Sequence, residues 1–174
     1  MTNYTLFPSK SKSKITPPLS SSDYVRGKQV QQSWCEFLPT LSAWDGALFI
    51  TFTFNQDVTE GLAWGHVERF YQKAMRLYTG TSNWRRKGLG TLLVAAMEFQ
   101  KSGRRHFHLM FDKIGNRCRY EELGKLWRSC SYLAGNNDIQ AIRDTKKVSG
   151  YISKYITKGG DIRVLGVRDG LKVL

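Results

Sequence analysis

Two histidines separated by one phenylalanine, with a glutamate eight residues earlier, form the group in this chain best suited to hold a metal ion. His106 and His108 flank Phe107 in an alternating stretch, which predicts a β-strand with both imidazoles on one face. Glu98 lies on the preceding predicted strand, and an odd-length turn, such as Ser102-Gly103-Arg104, would place its carboxylate on that face. Two imidazoles and a carboxylate suit a divalent ion with open coordination positions, so we predict Mg²⁺ or Mn²⁺, with zinc as an alternative.

Four further polar side chains near this group have roles that the sequence leaves open. Gln100 shares the face of Glu98 and is the competing ligand. Thr51 and Thr53 alternate along an earlier strand, and we expect them to be spacers or hydrogen-bond partners of the ligands. His66 falls in a predicted helix and is expected to be structural or exposed. A turn of even length would point Glu98 away, and the site would then lose its third ligand.

Tyrosines and lysines near the C-terminus repeat at helical spacing. They occupy positions i, i+3, i+4 and i+7, and they are Tyr151, Lys154, Tyr155 and Lys158. A helix over 148–161 would therefore carry all four on one face, with Val148, Ile152 and Ile156 on a neighbouring stripe that docks it. Taken alone, the pattern favours an ordinary amphipathic helix. Beside a metal, a tyrosine phenol becomes a candidate nucleophile toward a phosphodiester, and a lysine ammonium can stabilise the phenolate or the phosphate.

The segments that position these residues follow the order β-α-β-β-α-β. Strands are predicted over 47–54, 91–100, 105–112 and 138–143, and helices over 60–78 and 120–133. This order is typical of the ferredoxin-like, or split βαβ, α+β fold, in which helices cover one face of an antiparallel sheet. We expect the tyrosine-bearing helix over the other, open face. A short helix around 34–41 and an edge strand over 162–167 complete the prediction.

Length and composition indicate one domain. Residues 1–23, rich in Pro, Ser and Lys, are predicted to form a flexible basic tail before a domain over 24–174. The three cysteines form no C-x-x-C pair, which fits a reducing compartment. No apolar run is long enough for a membrane span and no signal peptide is recognisable, so we expect a cytosolic protein without a membrane partner.

The charge balance favours a polyanionic partner. Lys and Arg number 27 against 14 Asp and Glu, a net charge of +13, which indicates nucleic acid first and an anionic membrane surface second. The absence of a P-loop motif excludes a P-loop ATPase or helicase in this sequence. Candidate phosphate contacts are the clustered cations Arg85, Arg86, Lys87, Arg104, Arg105, Lys146 and Lys147.

Three blocks together resemble the HUH endonucleases, and within them the rolling-circle replication initiators. Residues 49–54 are similar to the first family motif, 106–108 to the metal motif and 151–158 to the tyrosine motif, in the same order. The spacing from Glu98 to His106 is similar to that of geminivirus initiators, where the acid completes the metal site. The Y-x-x-K-Y-x-x-K string most resembles microvirus-type and bacterial plasmid initiators.

The resemblance implies an enzyme that nicks and rejoins single-stranded origin DNA without ATP. A tyrosine would attack a specific phosphodiester, leaving a 5′-phosphotyrosine link and a free 3′-OH that primes synthesis. Of the two tyrosines, Tyr155 is expected to be essential and Tyr151 second, with Lys154 and Lys158 as electrostatic partners. A bacterial plasmid or phage origin is expected, with a host helicase and polymerase as further partners.

Other functions fit part of this pattern. A single-strand transposase of the same superfamily is hard to distinguish by sequence, although the Tyr/Lys doublet favours an initiator. A conjugative relaxase fits less well, because relaxases usually carry a third histidine and N-terminal tyrosines. A non-catalytic nucleic-acid-binding module could stack bases on an open sheet face, but it leaves unexplained why two histidines and an acid converge.

Overall fold

The chain folds around a five-stranded antiparallel sheet with the strand order β4-β1-β3-β2-β5. The computed structural model describes residues 21–155, 161–168 and 171–172. The strands are β1 (Leu48–Phe54), β2 (Leu93–Phe99), β3 (Arg105–Phe111), β4 (Ala134–Ala141) and β5 (Asp161–Leu165). The helices are α1 (Ser21–Phe37), α2 (Glu60–Thr79), α3 (Tyr120–Arg128) and α4 (Thr145–Ser153). Short 3₁₀ turns cover Leu38–Thr40 and Ile114–Asn116, and β6 (Val167–Arg168) pairs with β7 (Leu171–Lys172).

The order of elements from β1 to β4 is the predicted β-α-β-β-α-β arrangement. With all pairs antiparallel and β3 inserted between β1 and β2, the α+β ferredoxin-like prediction is confirmed. The predicted last edge strand is β5, which pairs with β2. Among the described residues, no helix has the length and apolarity needed to cross a membrane.

One sheet face, called here the aromatic face, packs against α2 and α3. The β1 residues Ile50, Phe52 and Phe54 point toward it and are almost fully buried. The ring of Phe52 stacks on that of Trp127, with centroids 4.1 Å apart and planes within 3°. His66 is also buried here and its Nδ1 lies 2.6 Å from the Leu62 carbonyl oxygen, which identifies it as structural.

Local signals in the sequence account for both ends of α2. The Thr59 hydroxyl accepts a hydrogen bond from the Leu62 N–H and caps the N-terminus. Gly80 ends the helix in the left-handed conformation at φ 68°, and its N–H donates to the Arg76 carbonyl. An apolar stripe at three- to four-residue spacing then faces the sheet: Ala63, Val67, Phe70 and Ala74.

The opposite face, called here the histidine face, carries Glu98, His106 and His108 and is covered in part by α1 and α4. Apolar residues of β2 and β3, such as Val94 and Met110, pack there against Leu38, Leu41 and Ile152. The sequence predicted only a short helix around 34–41. Instead α1 has 17 residues and packs against α4, where the Cys35 sulfur lies 3.6 Å from the position of an added Gly150 Cβ.

Two predicted boundaries between residues 120 and 143 were wrong. Helix α3 ends at Arg128 rather than 133, and β4 begins at Ala134 rather than 138. The predicted helix terminator 135–137 is therefore part of a strand. Gly135 permits this because a Cβ at that position would lie 2.7 Å from the Thr53 hydroxyl oxygen, at an irregularity in the β1–β4 register.

The tyrosine-bearing helix is also shorter than predicted. It begins at Thr145, where the Asp144 carboxylate accepts a hydrogen bond from the Lys147 N–H at 3.0 Å, and it ends at Ser153. Lys154 and Tyr155 follow in a turn. Lys158 and Ile156 lie outside the described residues, as do residues 1–20 of the predicted tail. The division into a tail over 1–23 and a domain over 24–174 stays a prediction.

Candidate active site

The β2–β3 hairpin places Glu98 directly opposite His106. These residues are Cα partners in the antiparallel ladder. The Gln100 N–H donates to the Arg104 carbonyl at 2.8 Å, leaving a three-residue loop, Lys101–Gly103, in which Gly103 has φ 81°. The odd-length turn is thus confirmed, although the loop lies one residue earlier than the predicted 102–104.

Three ligand atoms converge on one point of the histidine face. The Glu98 Oε1 atom lies 2.6 Å from His106 Nε2 and 3.4 Å from His108 Nε2, and the two nitrogens are 3.0 Å apart. Ligands bonded to one ion at 2.1 Å are separated by about 3.0 Å in octahedral and about 3.4 Å in tetrahedral geometry. The group therefore fits one divalent metal ion after shifts of a few tenths of an ångström, and it could hold one.

Thr51 fixes the orientation of one ligand. Its hydroxyl oxygen lies 3.1 Å from His108 Nδ1, so the other ring nitrogen faces Glu98. A hydrogen bond to the remote nitrogen of a metal-binding imidazole sets its tautomer and ring angle. Thr53, two residues later, instead donates to the Asn136 carbonyl at 3.1 Å. Of the two predicted threonine partners, only Thr51 contacts a ligand among the bonds described. The amide oxygen of Gln100 accepts from Ser102 at 3.5 Å, and its place as competing ligand stays a prediction.

Both tyrosines lie against the same histidine. The ring of Tyr155 stacks on that of His108, with centroids 4.9 Å apart and planes within 12°. Tyr151 meets His108 edge-on at 5.2 Å, and the two phenol rings are 5.4 Å apart. The structure thus brings together the metal group and the tyrosine pair that the sequence predicted separately.

The two tyrosines differ in access to solvent. Tyr151 is 40% exposed, whereas Tyr155 is 3% exposed and belongs to the apolar cluster beneath α4. The prediction that both share one free helical face was wrong, because α4 ends at Ser153 and the following turn rotates Tyr155 inward. Burial raises the pKa of the Tyr155 phenol well above its usual value, and a hydrogen bond with Tyr151 and the negative charge of Glu98 act in the same direction.

Two neighbours complete the surroundings of Tyr151. The ammonium nitrogen of Lys154 lies 5.7 Å from the Tyr151 ring centroid, in cation–π geometry. Phe49 stacks on His108 at 5.6 Å and meets Tyr151 edge-on at 5.6 Å. The sequence analysis missed the role of Phe49, although its place two residues before Thr51 put it on the same strand face.

The predicted phosphate contacts do not form one patch around the metal group. Lys146 and Lys147 are exposed in the first turn of α4, and Lys147 lies one turn before Tyr151. The cluster 85–87 is exposed in the loop after α2. Arg104 donates to the Asn55 carbonyl at 3.1 Å. Arg105 points to the aromatic face, where its guanidinium contacts the Asp57 carboxylate at 3.3 Å and the Val58 carbonyl.

Sequence comparison identifies the family of the chain. Residues 47–160 of 174 match the family model of the replication-associated proteins of the ORF2 type. The chain belongs to this family. The match runs from β1 past Tyr155 and contains Glu98, His106, His108 and both tyrosines. A search among curated proteins gives no match. Membership in this replication-associated family is consistent with a rolling-circle initiator that binds DNA.

Proposed function

We propose that this member of the replication-associated family is an HUH-type endonuclease and strand-transferase that initiates rolling-circle replication on single-stranded origin DNA. The observation that carries the proposal is the contact of both tyrosine rings with His108, whose Nε2 faces Glu98 and His106. A nucleophile class and a metal-ligand group within one cluster are the parts that phosphodiester transesterification needs.

Glu98, His106 and His108 would hold Mg²⁺ or Mn²⁺ in this reaction. The bound ion would polarise a non-bridging phosphodiester oxygen and stabilise the charge that develops on it. Thr51 and Phe49 hold the His108 ring in place, the first through Nδ1 and the second by stacking.

The reaction exchanges one phosphoester bond for another. The tyrosine oxygen bonds to phosphorus while the bond from phosphorus to the 3′ oxygen breaks. The phenolic proton leaves to water, and the departing 3′ oxygen takes up a proton to become the 3′-OH that a host polymerase extends, with a host helicase opening the duplex. Because the phosphotyrosine link conserves the ester bond, a second attack by a 3′-OH rejoins the DNA without ATP.

The difference in exposure supports Tyr151 as the tyrosine that cuts first. Its ring reaches solvent, and the Lys154 ammonium beside it can stabilise a phenolate or a bound phosphate. Tyr155 would act second, after the turn that contains it moves outward. This order is the reverse of the one expected from sequence. Lys158 remains a proposed partner of Tyr155, and Lys146 and Lys147 are proposed phosphate contacts next to Tyr151.

The test is formation of a covalent protein–DNA adduct. Labelled single-stranded oligonucleotides that tile the DNA molecule encoding the chain are incubated with protein and Mn²⁺, then resolved on a denaturing gel. Wild type and Tyr132→Phe should form the adduct, because Tyr132 is 87% exposed in the turn between α3 and β4 and belongs to no part of the site. His108→Ala should form none.

The two tyrosine variants test the proposed order. Tyr151→Phe should abolish the first cut, while Tyr155→Phe should still form the adduct but fail to complete strand transfer. An adduct in Tyr151→Phe that is lost in Tyr155→Phe would restore the order expected from sequence. If no oligonucleotide gives an adduct while DNA binding is intact, the chain is a binding module and the proposed reaction is wrong.

A further inference from the structure

A groove along strand β5 combines aromatic rings with guanidinium groups, and the proposed reaction makes no use of it. Two cavities of about 540 and about 360 Å³ adjoin there, since Glu68, Leu165 and Gly166 line both. The larger extends to Trp34 of α1, and the smaller to Trp84 in the loop after α2. The β5 groove is defined by these lining residues: Trp34, Glu68, Tyr71, Gln72, Trp84, Arg85 and residues 162–166.

Two arginines in the groove are held on tryptophan rings. The guanidinium carbon of Arg163 lies 4.2 Å from the Trp64 ring centroid, and that of Arg85 lies 5.0 Å from the Trp84 centroid. Such stacking restrains a guanidinium while its N–H edges remain directed outward, which suits a phosphate oxygen. Arg163 also bonds to the Asp161 carboxylate at 3.0 Å.

The remaining lining groups can contact bases. Glu68 is the only acidic residue among the lining residues, and its carboxylate can accept a hydrogen bond from an exocyclic amino group of a base. Gln72 offers both a donor and an acceptor. Cations that track a backbone beside aromatic surfaces and base-edge partners are typical of grooves for single-stranded nucleic acid.

The groove begins next to the metal group. In the β2–β5 ladder Asp161 is opposite Met97, the residue before Glu98, and Leu165 is opposite Leu93. Four residues of strand span about 13 Å. A DNA strand that leaves the metal group along this edge therefore reaches Arg163 first and Arg85 at the far end, where exposed Arg86 and Lys87 continue the positive charge.

We propose that the β5 groove is a second binding site for single-stranded DNA, which holds nucleotides flanking the one that is cut. The inference rests on the proposed action on single-stranded DNA, and it adds a surface to that function. It assigns Arg163 and Arg85 to the DNA backbone, Trp34 and Trp84 to the walls of the groove, and Glu68 and Gln72 to base edges.

The experiment measures how DNA affinity depends on salt. The full chain and its variants Arg85→Gln, Arg163→Gln and the double variant are titrated against a dye-labelled 18-nucleotide oligothymidylate between 0.05 and 0.4 M salt by fluorescence anisotropy. The matched control is Lys125→Gln combined with Arg128→Gln, which removes two exposed cations from α3 on the opposite side of the sheet. Circular dichroism melts verify that every variant is folded.

Each lost phosphate contact lowers the salt slope on a single strand by about 0.7, so the double variant should lose about 1.4. The same relation predicts about 25-fold weaker binding for the double variant at 0.1 M salt. The control should retain the wild-type slope. Arg163→Lys should also retain it, because the charge remains, which separates loss of a phosphate contact from loss of packing on Trp64.

Either result leaves the proposed reaction separately testable. Wild-type slopes in the groove variants, or an equal fall in the α3 control, would overturn the groove assignment even if the Mn²⁺-dependent adduct forms. A fall of about 1.4 restricted to the groove variants supports the groove even if no adduct forms on any oligonucleotide. In that case only the proposed reaction fails.

Discussion

The two faces of the sheet use the same alternating strands for opposite purposes. On the aromatic face, β1 contributes Phe52 and β3 contributes Phe107, and both side chains are completely buried. On the histidine face the intervening positions supply Thr51 and His108, which bond to each other and leave polar atoms facing Glu98. Packing on one side thus holds the spacing of polar groups on the other, because the two sets belong to the same strands.

This division also separates stability from chemistry. Closely packed aromatic rings contribute much of the burial that stabilises the fold. Converging carboxylate and imidazole groups, by contrast, carry a desolvation cost that a bound cation offsets. Variants on the aromatic face should therefore change stability first, and variants on the histidine face should change metal response and activity first.

The largest expected effect compares two phenylalanines of β1 that point to opposite faces. Phe52→Ala removes a ring stacked on Trp127 and should cost about 3–5 kcal/mol of the free energy of unfolding. Phe49→Ala should cost about 1 kcal/mol, because Phe49 is only partly buried, yet it removes the ring that stacks on His108 and should lower the rate of adduct formation. Urea unfolding curves and the adduct assay measure both effects. Equal losses of stability would contradict the proposed division between the faces.

The next effect concerns the metal group alone. At a Mn²⁺ concentration of 100 times its dissociation constant, binding to the folded chain should raise the free energy of unfolding by about 2.7 kcal/mol. Glu98→Gln should abolish this increase, and EDTA should reverse it in wild type. The increase should also weaken below about pH 6.5, where free imidazoles become protonated and cease to be ligands.

Thermal melts with and without Mn²⁺ provide the measurement, and Glu121→Gln is the matched control. Glu121 is exposed on α3 and pairs with Lys125, so its variant should respond to Mn²⁺ as wild type does. A full Mn²⁺ response in Glu98→Gln would show that the ion binds elsewhere.

A smaller effect distinguishes the two threonines of β1. Thr51→Val removes the hydroxyl that bonds to His108 Nδ1 and should weaken Mn²⁺ binding by about 10- to 100-fold. Thr53→Val removes a hydroxyl that bonds to the Asn136 carbonyl, so it should leave Mn²⁺ affinity unchanged while costing about 1 kcal/mol of stability. Isothermal titration calorimetry measures the affinities. If both variants bind Mn²⁺ as wild type does, Thr51 has no part in positioning His108.

The sequence predicted what depends on periodicity and spacing. Alternation placed Glu98, His106 and His108 on one face, and the β-α-β-β-α-β order predicted the sheet, because both depend on local patterns. The boundary at 134–137 was not predictable in this way, since Gly135 and two asparagines favour a turn locally and become strand only through pairing with β1. Long-range packing likewise buried Tyr155 and carried Arg105 to the aromatic face, neither of which residue spacing reports.

The smallest expected effect is a loss of stability at alkaline pH that originates on the aromatic face. Burial, with a smaller contribution from Glu122, raises the pKa of the Cys118 thiol from 9.0 to about 11. The folded state then keeps the thiol protonated between pH 9 and 11 while the unfolded state ionises. The free energy of unfolding should therefore be unaffected by this group below pH 9 and fall above it, by at most about 1.4 kcal/mol per pH unit. Cys118→Ala should flatten that decline in urea unfolding measured from pH 8 to 10.5, and an unchanged decline would assign it to other groups, such as the buried phenol of Tyr71, whose pKa burial also raises.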